Sequence, residues 1–383
     1  MVCGVALSWR LWTSSARLYP TVPVSDALPR VPYPLDHLWL CALVALLAAI
    51  LVSARPRPFV AAFLALAGCL CLFDQSRWQP WFYQYYFMLA ALWFYDRGRG
   101  DEGAREDESA RDGDRRAEEG RASALDACRL IVVATYFWSG AQKLNYNFFA
   151  AGVPALVRPY VNRAHALTYV LTPAGFIVPL AEILIAAGLL TRRFRRAAVV
   201  AALATHALVL LLFVPVGNNS VVWPWNVAMA AFVLILFRDD GDTSAKRVVF
   251  GRRVGFHTVA LALFGVMPLL GLLGLWDSYL SAALYSYNTA QANIHLGGSL
   301  PARLPETLRR AAQPAPDGGA TLNVTRWSFA ELNVPAYPEG RVFRRAAQRV
   351  CDYAENPSDA VLEIRGRPNL LDGTRKVKTI ACQ

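Results

Sequence analysis

The stretch LWLCALVALLAAILVSA at positions 38–54, closed by Arg55-Pro56-Arg57-Pro58 and followed by FVAAFLALAGCLCLF at 59–73, decides the fold class. Both apolar runs lack a charged side chain, and each approaches the ~20 residues that cross a hydrocarbon core. Similar runs recur along the chain. They predict spans at 38–54, 58–73, 81–95, 125–148, 170–190, 197–216, 221–237 and 256–276. Several are short, and interfacial aromatics such as Trp81, Phe82, Tyr83, Tyr85 and Tyr86 complete them. The expectation is an all-α polytopic membrane bundle of about eight transmembrane helices. Composition agrees: of 383 residues 55% are hydrophobic and 17% charged, where soluble domains carry about 25% charged residues. A disordered chain is excluded. Arg10 interrupts the apolar start, so no cleavable signal peptide is expected.

The net charge of +11 first raises nucleic-acid binding. Placement argues against it. Of 39 Lys+Arg only four are lysines, leaving 35 arginines, and these cluster in short loops. Arg55 and Arg57 follow the first span, Arg192, Arg193, Arg195 and Arg196 the fifth, and Arg238, Lys246, Arg247, Arg252 and Arg253 the seventh. A charged loop at 96–124 follows the third and reads as a solvated linker. Alternation puts all four on one side, which the positive-inside bias makes cytoplasmic. Arg10, Arg17 and Arg30 then lie on the opposite side. The expected setting is the cell membrane, with the lipid bilayer as partner and no nucleic acid.

Composition changes after Trp276, dividing a transmembrane domain, 1–276, from a polar C-terminal domain, 277–383. The second has the size of a small α+β domain and falls on the extracytoplasmic side. Strands are expected at 321–334 and 360–365. A helix is expected at 338–353, with Val342, Phe343, Ala346 and Val350 on one stripe. Cys351 and Cys382 are the tail's only cysteines, and outside the cytoplasm they are disulfide candidates. Asn218 and Asn323 begin glycosylation-type triplets. The sequence has no metal-ligand, phosphate-loop or dinucleotide motif, so no metal is expected.

Polar residues at membrane depth carry the functional reading, because such groups are costly there. Lys143 closes the fourth span and is the only lysine among the first 245 residues. A snorkelling cation could as well be arginine; lysine alone can release its proton when desolvated. Glu182 lies mid-span in Pro179-Leu180-Ala181-Glu182-Ile183, and His206 mid-span in Ala204-Thr205-His206-Ala207. Each has a bland alternative, a hydrogen-bond partner or a packing residue. Lys143, Glu182 and His206 are the catalytic candidates. Two aromatic loops, with Asp74, Arg77, Trp78 and Trp81 in one and Asn219, Trp223, Trp225 and Asn226 in the other, fall on the same face as Asn145 and the tail. Helix caps in an aromatic belt would use the same residue types. Their convergence at one end reads as the mouth of a binding cavity.

The segment Tyr136-Phe137-Trp138-Ser139-Gly140-Ala141-Gln142-Lys143-Leu144-Asn145 resembles one in vitamin K-dependent gamma-carboxylases and in the related bacterial HTTM (horizontally transferred transmembrane) proteins. Asp74–Trp81 resembles that family's Asp-x-x-x-Trp-x-x-His stretch. The order of the helices bearing Glu182 and His206 is also similar. The resemblance spans roughly 74–237, and segments at 223–226 and 284–289 are also similar to DoxX-like membrane proteins. It implies that Lys143 is a base toward a reduced quinone. Two positions depart from it: Gln142 stands where carboxylases carry a second lysine, and Trp81 where they carry the histidine. The tail is also far shorter than their lumenal region. Three functions follow: a carboxylase-like or other quinone-linked membrane enzyme, a non-enzymatic membrane component whose tail binds an extracytoplasmic protein, or a transporter. The lack of an internal repeat counts against the last.

Overall fold

The computed structural model describes residues 1–95, 107–161, 165–215, 217, 219–238, 244–252, 255–316 and 318–382. Asn218 and Arg253, singled out above, lie outside them, as do residues 96–106 of the charged loop. The chain is mostly helical, with one small antiparallel sheet. The main bundle helices are α1 (Leu35–Val52), α2 (Arg57–Phe73), α3 (Pro80–Tyr95), α4 (Asp107–Lys143), α5 (His165–Leu190), α6 (Arg195–Phe213) and α7 (Val222–Phe237). A last apolar helix, α8 (Phe256–Leu272), contains a π-helical stretch at Leu261–Val266.

The expectation of eight spans is corrected. Among the described residues only α1 and α6 are long and apolar enough to cross a membrane. The apolar parts of α2, α5, α7 and α8 are between 10 and 17 residues, short of the ~20 that a bilayer core requires. The charged loop is corrected in part, because 107–124 form the first turns of α4.

Two large cores hold the described residues together, beside two smaller clusters. One joins α4–α8 and the inner face of α3, around Ile131, Ala134, Leu189, Ala202 and Val233. The other is continuous from α1–α3 into the tail, running from Leu43, Phe63 and Phe82 to Ile294, Leu322, Trp327 and Phe343. The tail sheet has the order β2-β3-β1-β4-β5, with β1 Gln291–Leu296, β2 Ala312–Pro314, β3 Ala320–Asn323, β4 Ala360–Pro368 and β5 Arg375–Ala381. The strand expected at 321–334 stops at Asn323. There the Asn323 side chain accepts the Arg326 N–H at 2.9 Å and caps helix α9 (Val324–Leu332). The expected strand at 360–365 is β4, and the helix expected at 338–353 is α10 (Gly340–Cys351). Cys351 and Cys382 are disulfide-bonded.

An N-terminal strap, residues 13–34, runs between bundle and tail. Glu331 of α9 accepts the Tyr19 N–H at 2.9 Å, the Leu18 N–H, and Trp327 Nε1–H at 2.7 Å. Two of the three N-terminal cations are engaged internally, and the third stays at the surface. Arg17 pairs with buried Asp74, Arg30 donates to the Ser14 carbonyl, and Arg10 lies against the Trp9 ring. At the opposite end buried Asp126 binds Arg129 at 2.8 Å and Arg252 at 2.9 Å.

Candidate functional site

The site begins with a close approach of two helices. Gly140 of α4 faces the Pro179 carbonyl and Ile183 of α5, and a Cβ at Gly140 would lie 2.5 Å from that oxygen. Glycine permits the contact because it has no side chain, as small residues do at packed membrane helices. One turn on, Lys143 Nζ reaches the Glu182 carboxylate at 2.7 and 3.0 Å, with Ser139 Oγ at 2.6 Å and the Ser139 carbonyl at 3.2 Å. Both charged side chains are largely buried, at 9% and 13% exposure.

His206 is not bonded to that pair. Its Nε2 lies 2.5 Å from Tyr136 Oη and its Nδ1 2.8 Å from Asn226 Oδ1. Asn226 Nδ2 donates to the Val222 carbonyl at 2.8 Å. The ion pair and the Tyr136–His206–Asn226 chain nevertheless line one cavity of about 420 Å³, so Lys143, Glu182 and His206 share a wall. Trp225 is there too, its Nε1–H donating to Gln84 Oε1 at 2.7 Å. Most of the remaining lining is apolar or aromatic, including Trp138, Phe148, Met229 and Phe264.

The tail supplies the roof. Residues 277–289 place Tyr279, Tyr285 and Tyr287 in the lining. Ala282, Tyr285 and Tyr287 have φ of 57°, 58° and 58°, a left-handed conformation that costs a non-glycine residue of order 1 kcal/mol or more. Polar bonds enforce it. Asn145 donates to the Ser286 carbonyl and Asn288 to Gln142 Oε1, each at 2.8 Å. Arg375 donates to the carbonyls of Tyr287 and Thr289 at 3.2 and 2.8 Å, and Asn219 to the Tyr285 hydroxyl. Burial pushes the Tyr279 and Tyr285 phenols up, so both are neutral at ordinary pH.

Several expected binding residues have other work. Asp74 accepts from the Val22 and Ser76 N–H groups besides Arg17. Arg77 donates to the carbonyls of Leu11, Leu70 and Trp12. Trp78 packs edge-on against Tyr83 and Tyr86, and Trp81 lies against Gly4. None of these four lines the cavity: Asp74 and Arg77 bond to N-terminal residues, and Trp78 and Trp81 are held by ring packing. Asn145 and Asn219 brace the roof, and Trp223 packs beside Val22 and Tyr279. Only Trp225 and Asn226 of the expected binding set reach the lining. Sequence reasoning missed Tyr136, Ser139, Gln84 and the roof tyrosines. Tyr136 and Ser139 carried a readable signal, since they lie seven and four residues before Lys143 on one helical face. Among the described residues no group of side chains is suited to a metal ion. Comparisons with protein-family models, curated proteins and solved structures give no match to this chain.

Proposed function

We propose that this chain is an integral membrane protein whose bundle holds a small, largely apolar molecule, with the Lys143–Glu182 pair exchanging a proton with it. One observation carries the reading: that ion pair and the Tyr136–His206–Asn226 chain lie on the wall of a single, mainly apolar cavity. Its volume of about 420 Å³ is in the range of small-molecule sites. Membrane placement rests on which way the apolar side chains face. Only 17% of the apolar window of α1 and 22% of that of α6 are buried. A core helix of a water-soluble protein would turn that surface inward. Leu51, Val52, Leu184, Leu211 and Ile235 instead point outward, and lipid is the surrounding that tolerates them. The arginine-rich end would face the cytoplasm and the tail the other side.

A reduced quinone, implied by the resemblance around Lys143, fits the donor set: aromatic walls for a ring and two separated polar groups for its oxygens. Such a molecule supplies an acidic O–H and a planar, oxidisable ring. Trp138, Trp225 and Phe264 would hold the ring. Nζ sits among four acceptor oxygens, two of them from the Glu182 carboxylate, and those are the partners that the three donors of an ammonium require. To act as a base it passes a proton to Glu182 across the 2.7 Å contact, leaving both groups neutral. An apolar surrounding favours that neutral form. Nζ would then take the proton of a ligand O–H placed against it, and the resulting ammonium would stabilise the oxygen that gave it up.

The test uses the full chain in lipid nanodiscs, with extracted lipid analysed for isoprenoid quinones and binding of a short-chain alkyl hydroquinone measured. Lys143→Arg keeps the charge but cannot release its proton. It should weaken hydroquinone binding about tenfold, the worth of the one hydrogen bond that needs an uncharged amine as acceptor. Wild-type affinity in that variant would remove Lys143 as the base.

A further inference from the structure

We infer that Tyr136, His206 and Asn226 form a second proton station in the cavity, one that takes a proton from a ligand hydroxyl through the tyrosine. The ligand class is thereby narrowed to a ring bearing two acidic hydroxyls. This rests on the proposed reading of the cavity and extends it.

The direction of the chain follows from its anchored end. Asn226 Nδ2 donates to the Val222 carbonyl, so Asn226 presents its Oδ1 to the imidazole as an acceptor. His206 Nδ1 must therefore carry a hydrogen. A neutral imidazole has only one, so Nε2 is bare and accepts the Tyr136 O–H at 2.5 Å. With its hydrogen committed, Tyr136 can offer a ligand only lone pairs. A hydroxyl that donates to Tyr136 completes a relay. The ligand's proton moves to the Tyr136 oxygen as the tyrosine's own proton moves to Nε2. The ligand loses one proton, Tyr136 is regenerated, and His206 becomes an imidazolium whose Nδ1–H Asn226 still holds. No electrons move.

Spacing makes this a partner to the first station. Tyr136 and Lys143 are seven residues apart on α4, two turns and roughly 10 Å along the axis. Both line the cavity, with Ser139 between them in sequence. A ring with hydroxyls at opposite ends can address both stations; a ring with one hydroxyl addresses one.

The test uses the full chain in nanodiscs with ¹⁵N-labelled histidine, titrated with an alkyl hydroquinone, its monomethyl ether and its dimethyl ether. Without ligand, His206 should show the neutral Nδ1–H form. The hydroquinone should convert it to the imidazolium, and the dimethyl ether should leave it unchanged. Tyr136→Phe should abolish the response and weaken hydroquinone binding about tenfold, to the level of the monomethyl ether. Residues that merely fill space would not change protonation with ligand chemistry. If the hydroquinone binds while His206 stays neutral, or if Tyr136→Phe keeps the full preference for two hydroxyls, the second station is overturned and the cavity reading stands. If none of the three probes binds the wild-type protein, both fall.

Discussion

Gly140 and Pro179 touch through backbone: a methyl group on the Gly140 α-carbon would come within 2.5 Å of the Pro179 carbonyl oxygen. That contact sets the distance between α4 and α5, and with it the Lys143–Glu182 separation. Gly140→Ala should push the helices apart, at the 1–3 kcal/mol typical of overpacking. A thermal shift and reduced affinity for the hydroquinone probe should appear together. Unchanged values of both would show that the helix pair can yield without moving the ion pair.

The ion pair itself should be strongly non-additive. Lys143→Met leaves Glu182 buried without its cation, a loss of about 3–5 kcal/mol. Replacing both, as Lys143→Met with Glu182→Leu, should recover most of that stability while removing the Lys143 proton acceptor from the cavity. Denaturation midpoints for the two single variants and the double variant measure the coupling. Additive losses would mean that the charges are solvated.

Glu331 should govern the attachment of the N-terminal strap. Its carboxylate accepts from the Leu18 and Tyr19 backbone and from the Trp327 indole. Glu331→Leu leaves these donors without partners at about 1–3 kcal/mol for each that stays buried. Limited proteolysis should then cut within 13–34 at protease levels that spare the wild type.

Acid should loosen the turn before β4. The backbone N–H groups of Asn356 and Glu355, with Arg303 nearby, hold the Asp359 carboxyl below its ordinary value. Since the folded form binds the proton more weakly than the unfolded one, this stabilisation is complete above the ordinary carboxylate value of 3.8. It is lost as pH falls through the lowered value. The protection of the Asn356 amide against exchange, relative to its intrinsic rate, should fall in that acid range, and Asp359→Asn should lower it already at neutral pH.

Some of this was legible from one-dimensional pattern. Apolar runs located most bundle helices, since a helix buried in other helices or in lipid needs apolar residues over most of its length. The stripe Val342, Phe343, Ala346 and Val350 announced α10 because one face packs on the sheet. Other parts were hidden. β5 escaped notice because its alternation is mixed with charges, and β1 because its alternation of Ala292, Ile294 and Leu296 with polar residues lasts only six positions. Asn323 ended a strand by capping a helix, a choice between two local hydrogen-bond partners that periodicity does not record.

The candidate site divides in the same way. The scarcity of lysine and the positions of Glu182 and His206 within apolar runs are properties of the sequence, and they identified three polar residues that an apolar bundle must accommodate. Which of them meet is a property of the tertiary structure. A glycine contact joined Lys143 to Glu182, while the Asn226 amide turned His206 toward Tyr136. The tail laid its tyrosines across the opening between them. Desolvation demands a partner for every buried polar group, and that demand is written in the sequence. The partner's identity depends on helix separations of a few ångströms, which only packing decides.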